Sequence, residues 1–170
     1  MTESDKLDIC EALYGKMTKA FGVFYWDAEK KHLVNIDTGE DLLSHVEYSP
    51  YSNPRYVNGE YVKVGRKALF VRDLSGYIMC YNSKCERVIN MELNIPARYI
   101  KEYISNKNGL AIYLLGRKTI ASGMKVLILD LNTGKKLDYL DNVVRIFESE
   151  QVLKIVTIEN GELSNITFSL

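Results

Sequence analysis

Hydrophobic residues follow two different spacings along this chain. Between residues 4 and 17 they recur every three or four positions, which places them on one face of an α-helix. Ser4 can cap this helix, and Asp5 lies in the first turn, where a negative charge favours the helix dipole. We expect this face to pack on the rest of the protein; alternatively it docks on a partner, or part of it is a strand. The face consists of Leu7, Cys10, Leu13, Tyr14 and Met17.

After Ala20 the pattern changes to short apolar runs separated by polar turns. Runs of this length, rich in Val, Ile and Tyr and bounded by Asn-Gly, Ser-Gly or Thr-Gly pairs, are typical of β-strands joined by hairpins. The predicted strands are 21–26, 33–36, 42–48, 61–64, 68–72, 77–81, 87–93, 99–104, 110–115, 125–131, 136–140, 143–147, 152–158 and 163–168.

The predicted strands repeat as a unit of four, here called A, B, C and D. The turns between C and D centre near residues 38, 83 and 133, and the other turn classes keep a similar spacing. A period of about 38 to 50 residues with four strands is typical of propeller blades. We therefore predict an all-β, propeller-like array of about four short four-stranded antiparallel blades, holding BCD, ABCD, ABCD and ABC. The N-terminal helical segment would span residues 1–19 and the propeller-like β domain residues 20–170.

One hairpin resembles those of a known family. Asn132-Thr133-Gly134-Lys135, after the strand 126–131, resembles the C–D hairpin of β-propeller blades of the WD-repeat and quinoprotein kind. Asp37-Thr38-Gly39-Glu40 is a second copy, and residues 82–86 are a degenerate third. The resemblance covers roughly residues 21–170 and implies a propeller-like architecture. The chain lacks the family's Gly-His pair, and Trp26-Asp27 falls at the end of a B strand rather than a C strand, so no family-specific residue is carried over.

Incomplete first and last blades would leave strand edges without partners. Such edges invite association, because their backbone donors and acceptors seek hydrogen bonds. The N-terminal segment has helical spacing and cannot extend a sheet. We therefore predict that two chains join edges as a homo-oligomer, with coverage of the edge by the N-terminal segment as the alternative.

Composition narrows the class of protein. Lys plus Arg and Asp plus Glu both number 22, a formal net charge of zero, which argues against a dedicated nucleic-acid binder. The N-terminal residues are polar and acidic, unlike a signal peptide, and no apolar run is long enough to cross a membrane. An odd number of cysteines without an export signal suggests reduced thiols. We expect a cytoplasmic, intracellular location.

Candidate chemical groups are scattered. His32 follows two lysines at a predicted turn, where we expect it to be solvated, and His45 lies in an apolar run. Cys80 and Cys85 form a single pair across a turn, whereas structural zinc sites usually present two pairs or added histidines. Cys80 is interpreted as a small core residue. We therefore predict no catalytic residue, no metal site and no cofactor, and lean against an enzyme.

Two groups of residues are candidates for binding. Tyrosines surround a Pro-containing loop, and Tyr is enriched at binding surfaces. Two basic doublets lie at A–B and C–D turns, which share one face of a propeller. The residues are Tyr48, Tyr51, Tyr56, Tyr61, Arg66, Lys67, Lys135 and Lys136.

These observations favour a non-catalytic protein-binding module or scaffold. The predicted partner is another protein or a second copy of the chain, without membrane association. The alternatives are a small molecule or nucleic acid bound in a central channel, and an enzyme with a site built from loops. A cleft rich in acids or histidines would favour the enzyme, and a broad Tyr-lined surface a protein partner.

Overall fold

A computed structural model describes residues 1–43, 59–73, 75–116 and 124–170. This part of the chain is mainly β, with one α-helix, α1, at Glu3–Tyr14. It contains no helix of the length and apolarity needed to span a membrane.

Thr2, rather than the predicted Ser4, caps α1. The Thr2 hydroxyl accepts a hydrogen bond from the Asp5 backbone N–H at 3.1 Å, and the Asp5 carboxylate accepts one from the Thr2 N–H at 2.9 Å. This reciprocal capping box satisfies two backbone donors at once, so it places the N-cap two residues before Ser4 and the helix begins at Glu3. The hydrogen bonds from Thr2 lower the pKa of Asp5.

The strands form four antiparallel sheets in which each strand pairs with its neighbour in sequence. Sheet 1 contains β1 Met17–Phe21, β2 Phe24–Asp27 and β3 Leu33–Asn35. Sheet 2 contains β4 Val62–Val64, β5 Ala68–Arg72, β6 Tyr77–Asn82 and β7 Arg87–Glu92. Sheet 3 contains β8 Ile100–Ser105, β9 Leu110–Leu115, β10 Lys125–Asp130 and β11 Lys136–Leu140. Sheet 4 contains β12 Val143–Glu148, β13 Val152–Glu159 and β14 Glu162–Ser169.

Sheets 2, 3 and 4 match the predicted strands to within one or two residues at each end. Sheet 1 does not. The predicted strand 21–26 is interrupted at Gly22 and Val23, which form the turn between β1 and β2, so β1 is an additional first strand. Residues 17–19, predicted as helical, therefore belong to β1.

The predicted strand 42–48 is also wrong where it is described. Asp41 makes an isolated bridge to Val34, and Leu42 and Leu43 lie in a turn, while 44–48 fall outside the described residues. Sheet 1 thus has the strands A, B and C with a one-residue D, rather than B, C and D.

The chain forms two compact units, Met1–Arg98 and Tyr99–Leu170. In the first unit, one face of sheet 1 packs on sheet 2 and the other packs under α1. Alternating residues on β2 and β3 supply the two faces, as the pleat requires. The sheet 2 side includes Phe24, Trp26, Leu33, Val62, Leu69 and Val71. The helix side includes Cys10, Met17, Val34 and Ile36, with Leu7 and Tyr14 at its margin.

The helix face is confirmed in part. Cys10 is buried against sheet 1, whereas Leu13 is 70% exposed, because its position points away from the sheet. The predicted boundary at residue 19 stays a prediction.

In the second unit, sheet 3 packs on sheet 4 through one apolar cluster. Strands β9 and β10 of sheet 3 supply buried aliphatic residues to this cluster, and β13 and β14 of sheet 4 supply the residues packed against them. The cluster includes Ile112, Leu114, Val126, Ile128, Leu153, Ile155 and Phe168.

In all three C–D turns, the side chain that opens the turn accepts backbone N–H groups. The side-chain oxygen of Asp130 accepts from the N–H of Asn132 and Thr133, and that of Asn35 accepts from Asp37 and Thr38 in the same way. Gly134 and Gly39 then adopt the left-handed conformation, with φ of 73° and 77°. In the shorter third turn, opened by Asn82, Cys85 takes this left-handed position with φ of 63°.

Candidate functional site

A cleft of about 510 Å³ opens in the first unit beside β1 and β4. These are the first strands of sheets 1 and 2, and each lies at an edge of its sheet. The volume falls within the range of ligand-binding pockets. The lining residues are Lys19, Trp26, Lys30, Gly59, Val62, Lys63, Val64 and Arg98.

The β1–β2 hairpin brings the first cation beside the only tryptophan of the chain. Lys19 lies directly opposite Trp26 in the antiparallel register, so both side chains are on the same face. Trp26 is only 3% exposed and belongs to the core between sheets 1 and 2. Its indole Nε1 is buried and has no hydrogen-bond partner among the described residues.

Lys30 enters the cleft from the turn between β2 and β3. The Asp27 carboxylate accepts hydrogen bonds from the N–H of Lys31 at 2.8 Å and of His32 at 3.0 Å, which closes the turn. Lys30 takes the left-handed conformation in this turn, with φ of 56°. Lys63 comes from the middle of β4, between two cleft-lining valines.

Arg98 is positioned by hydrogen bonds to the backbone before β4. Its N–H donates to the Gly59 carbonyl at 2.6 Å, and the Ala97 N–H donates to the Glu60 carbonyl at 3.0 Å. A Cβ on Gly59 would lie 2.8 Å from the Arg98 Cβ, so only glycine allows this approach.

Glu60 ties Arg98 to sheet 2. One carboxylate oxygen of Glu60 lies 3.1 Å from Arg98 Nη1, and the other lies 3.3 Å from Arg72 Nη1. Arg72 also donates to Asn94 Oδ1 at 2.9 Å. This network fixes the guanidinium of Arg98 at the rim of the cleft while leaving its side chain 43% exposed.

The charged side chains that line the cleft are all positive. The described lining contains four cationic side chains, Lys19, Lys30, Lys63 and Arg98, and no acidic one. Within the described part of the chain, Lys19 and Lys63 have no ion-pair partner. Since the whole chain has a formal net charge of zero, the cleft concentrates positive charge locally. Its chemistry suits an anionic group next to an apolar one.

The predicted binding residues are distributed over both units. Tyr61 is half-buried before β4, with the Arg72 guanidinium 5.9 Å from its ring centre. Arg66 and Lys67 lie in the β4–β5 turn. Lys135 and Lys136 lie at the β10–β11 turn of the second unit. Tyr48, Tyr51 and Tyr56 lie outside the described residues. The predicted binding surface therefore stays a prediction.

Sequence reasoning missed most of the cleft. Lys30 is one of the two lysines before His32, and nothing in the sequence pattern groups it with Lys19, Trp26, Lys63 or Arg98. The register of the β1–β2 hairpin would have placed Lys19 beside Trp26 if Gly22 had been identified as a turn residue. No sequence signal links Arg98 to Gly59, because that contact depends on the tertiary fold.

His32 is half-buried and bonded, rather than free in solvent as we expected. Its Nδ1 lies 2.8 Å from Asp41 Oδ2, and the Tyr14 ring lies 4.9 Å away, measured between ring centres. Asp41 Oδ1 also accepts from the N–H of Leu33 at 3.1 Å and of Leu43 at 3.0 Å. Asp41 is therefore a structural acceptor that closes the end of sheet 1. His45 lies outside the described residues.

The cysteines are free thiols with packing roles. Cys80 is fully buried, as predicted for a core residue, and this burial raises the pKa of its thiol. Cys85 Sγ accepts from the Val23 N–H at 3.4 Å and donates to the Phe21 carbonyl at 3.8 Å, which ties the β1–β2 turn to sheet 2. The described residues contain no cluster of three or more potential metal-ligating side chains.

The second unit holds a separate polar cluster. The Tyr103 hydroxyl donates to the Glu148 carboxylate, and Lys101 Nζ lies 3.2 Å from the same oxygen. Burial, together with the nearby carboxylate, raises the pKa of Tyr103. These side chains join β8 to β12, so we assign them a structural role.

No family model matches the chain, and no curated protein matches its sequence. Similar solved structures include Sqt1 of Saccharomyces cerevisiae, a WD40 protein, at 12% identity and a TM-score of 0.29, over 89% of this chain and 39% of Sqt1. BamB of Moraxella catarrhalis, a propeller, aligns at 11% identity and a TM-score of 0.28, over 89% of this chain and 42% of BamB. KlAtg21, in complex with the coiled-coil of AgAtg16, aligns at 16% identity and a TM-score of 0.30, over 85% of this chain and 52% of KlAtg21.

This chain thus spans about two fifths of the length of Sqt1 and BamB. At TM-scores near 0.3 the alignments do not define how the sheets are arranged.

Proposed function

We propose that this chain is a propeller-like, non-catalytic protein-binding module whose cleft binds an acidic segment of a partner protein. The observation that carries the proposal is the cleft lined by four cationic side chains around a tryptophan–valine floor. Carboxylates would pair with the cations, and apolar side chains between them would contact Val64, which is 38% exposed. Repeated sheets provide a rigid platform for such a site.

An acidic peptide suits this cleft better than a nucleic acid does. Single-stranded nucleic acids are bound by stacking of bases on exposed aromatic rings, whereas Trp26 is 3% exposed and has no free face for a base. Phosphate recognition favours the bidentate fork of arginine, but three of the four cations are lysines and Arg98 is paired with Glu60. The neutral net charge also disfavours a nucleic-acid binder.

Trp26 provides a direct test because it is the only tryptophan of the chain. Titration of the full chain with a short glutamate-rich peptide should change its fluorescence in a saturable manner. Raising the salt concentration should weaken binding, since the cations lie near the surface. Lys19→Glu and Lys63→Glu should each weaken binding by roughly tenfold, which corresponds to about 1.4 kcal/mol.

Lys84→Glu is the matched control, because Lys84 is exposed in the β6–β7 turn of the same unit and outside the cleft. It makes the same charge change and should bind as the native chain does. Equal affinities for Lys63→Glu and Lys84→Glu would reject the cleft as the site. Tighter binding of a single-stranded oligonucleotide of equal charge would reject the acidic peptide in favour of nucleic acid.

A further inference from the structure

Among the described residues, sheet 4 has one strand fewer than sheets 2 and 3. Those sheets have four strands each, while sheet 4 has the order β12-β13-β14 and ends at β14. β14 is eight residues long, and Glu162–Asn165 and Thr167 are exposed. Among the described residues, the position beside β14 that a D strand occupies in sheets 2 and 3 is unpaired.

The hydrogen-bond register shows which backbone groups face this open edge. In an antiparallel pair, bonded and non-bonded residue pairs alternate. The Leu170 N–H donates to the Gln151 carbonyl at 2.8 Å, so every second β14 residue, from Phe168 back to Glu162, bonds to β13. Leu163, Asn165 and Thr167 therefore direct their N–H and C=O groups away from β13. The Ser169 carbonyl, which has the same parity, accepts instead from the Ser105 hydroxyl.

β14 has few of the features that protect an edge strand. Proteins usually guard such edges with lysine, proline, a bulge or a covering loop. The sequence of β14, Glu-Leu-Ser-Asn-Ile-Thr-Phe-Ser, contains neither lysine nor proline, and its pairing with β13 is continuous over all eight residues. The outer edge of β14 is therefore long and regular, and no strand of the described residues pairs with it.

We propose that a second copy of this chain pairs with β14 through its own β14, in an antiparallel register centred on Asn165. In that register Asn165 lies opposite Asn165 of the other copy, and Leu163 lies opposite Thr167. All three outward-facing residues meet outward-facing residues, so each copy's free N–H and C=O groups find partners. The product is a continuous sheet formed by both copies of sheet 4.

The side chains fit this two-fold register. Glu162, the only charged residue of β14, lies opposite Phe168 of the other copy, so no like charges face each other. Leu163, which is 67% exposed, lies beside the methyl group of Thr167. A foreign strand would need a matching pattern, whereas β14 is complementary to itself. This surface is in the second unit and is independent of the cleft.

The first test is the mass of the full chain in solution, measured by light scattering over a series of concentrations. We expect twice the 19.5 kDa of one chain at high concentration. Thr167→Pro should return the mass to that of one chain without changing the melting curve, because the N–H it removes faces outward and proline is tolerated on edge strands. Thr167→Lys, which leaves the backbone intact, should have the same effect and covers the case in which the proline variant does not fold.

The second test fixes the register. Asn165→Cys should form a disulfide-linked dimer under mild oxidation, because directly opposed bonded residues have Cα atoms about 5.5 Å apart, within disulfide range. Leu163→Cys should not, because the two copies of residue 163 would be about 13 Å apart along the strands. The native chain, oxidised in the same way, shows how much cross-linking comes from its own free thiols. A single-chain mass at every concentration, a dimer that survives both Thr167 variants, or equal cross-linking of both cysteine variants would overturn the proposal.

Discussion

Cys85 combines a left-handed backbone conformation with side-chain contacts to the β1–β2 turn. Its φ of 63° is the left-handed conformation that Gly39 and Gly134 adopt in the related turns, which costs a side-chain-bearing residue energy. Its sulfur offsets that cost by contacting the backbone of Phe21 and Val23. The same sulfur leaves no room at Gly22, where a Cβ would lie 2.3 Å from Sγ.

Gly22→Ala should therefore destabilise the protein more than Gly39→Ala does. Both glycines have positive φ, of 57° and 77°, so each substitution costs about 1 kcal/mol in backbone strain. A Cβ at Gly39 meets nothing within 4 Å, whereas the clash at Gly22 adds roughly 1–3 kcal/mol. Urea unfolding measures both values.

The double variant Gly22→Ala, Cys85→Ala isolates the clash. Removing the sulfur should make the added cost of Gly22→Ala close to that of Gly39→Ala. Equal costs for the two glycines in the native background would contradict the packing of Cys85 against the first hairpin.

The turns between C and D strands show how one side chain can define an element. Asn35, Asn82 and Asp130 each accept backbone N–H groups two to four residues ahead. Asparagine and aspartate both do this, because each has a short side chain with a carbonyl-type oxygen. Only Asp130 adds a charge, and the hydrogen bonds from Thr133 and Asn132 lower the pKa of its carboxyl.

Asp130→Asn should thus change the pH dependence of stability while preserving the turn. The folded-state pKa of Asp130 lies below its ordinary value of 3.8, so its ionised form stabilises the fold above that pH. We expect the native chain to be more stable than the variant at pH 7. The difference should shrink as the pH falls below about 3.8 and through the lowered pKa. A pH-independent difference in the free energy of unfolding would show that the charge has no part in it.

The elements that sequence reasoning predicted best are those with polar turns. Asn160-Gly161 and Asn132-Thr133-Gly134 mark hairpins by residue type alone, so β10 to β14 were placed within one or two residues. The turn at Gly22 and Val23 was missed because its flanking residues are apolar and aromatic, and Val23 packs against the core instead of facing solvent.

The candidate site was less predictable than the fold, because it depends on tertiary packing. Lys19 and Lys63 lie 44 positions apart in sequence, and only the packing of sheet 1 on sheet 2 brings them to one cleft. A lysine in a predicted strand does not indicate which other sheet will pack beside it. The pairing of Arg98 with Glu60 likewise follows from the fold.

At the scale of the whole molecule, all three cysteines lie in the first unit. Under native conditions a thiol reagent should label Cys85 first, because Cys10 and Cys80 are buried and the raised pKa of Cys80 keeps it protonated. Labelling of Cys10 and Cys80 should follow unfolding in urea. Neither a chelator nor a reductant should change the melting temperature. A lower melting temperature with chelator would instead indicate a bound metal.

Pairing only between consecutive strands has a consequence for how the chain folds. Within the described residues, every sheet is built from strands that are consecutive in sequence, so no strand has to wait for a distant partner. Contacts of this kind require little loop-closure entropy and favour fast folding for a β protein. Each hairpin can therefore form as soon as it leaves the ribosome, and the first sheets can be in place before the last strand has been synthesised.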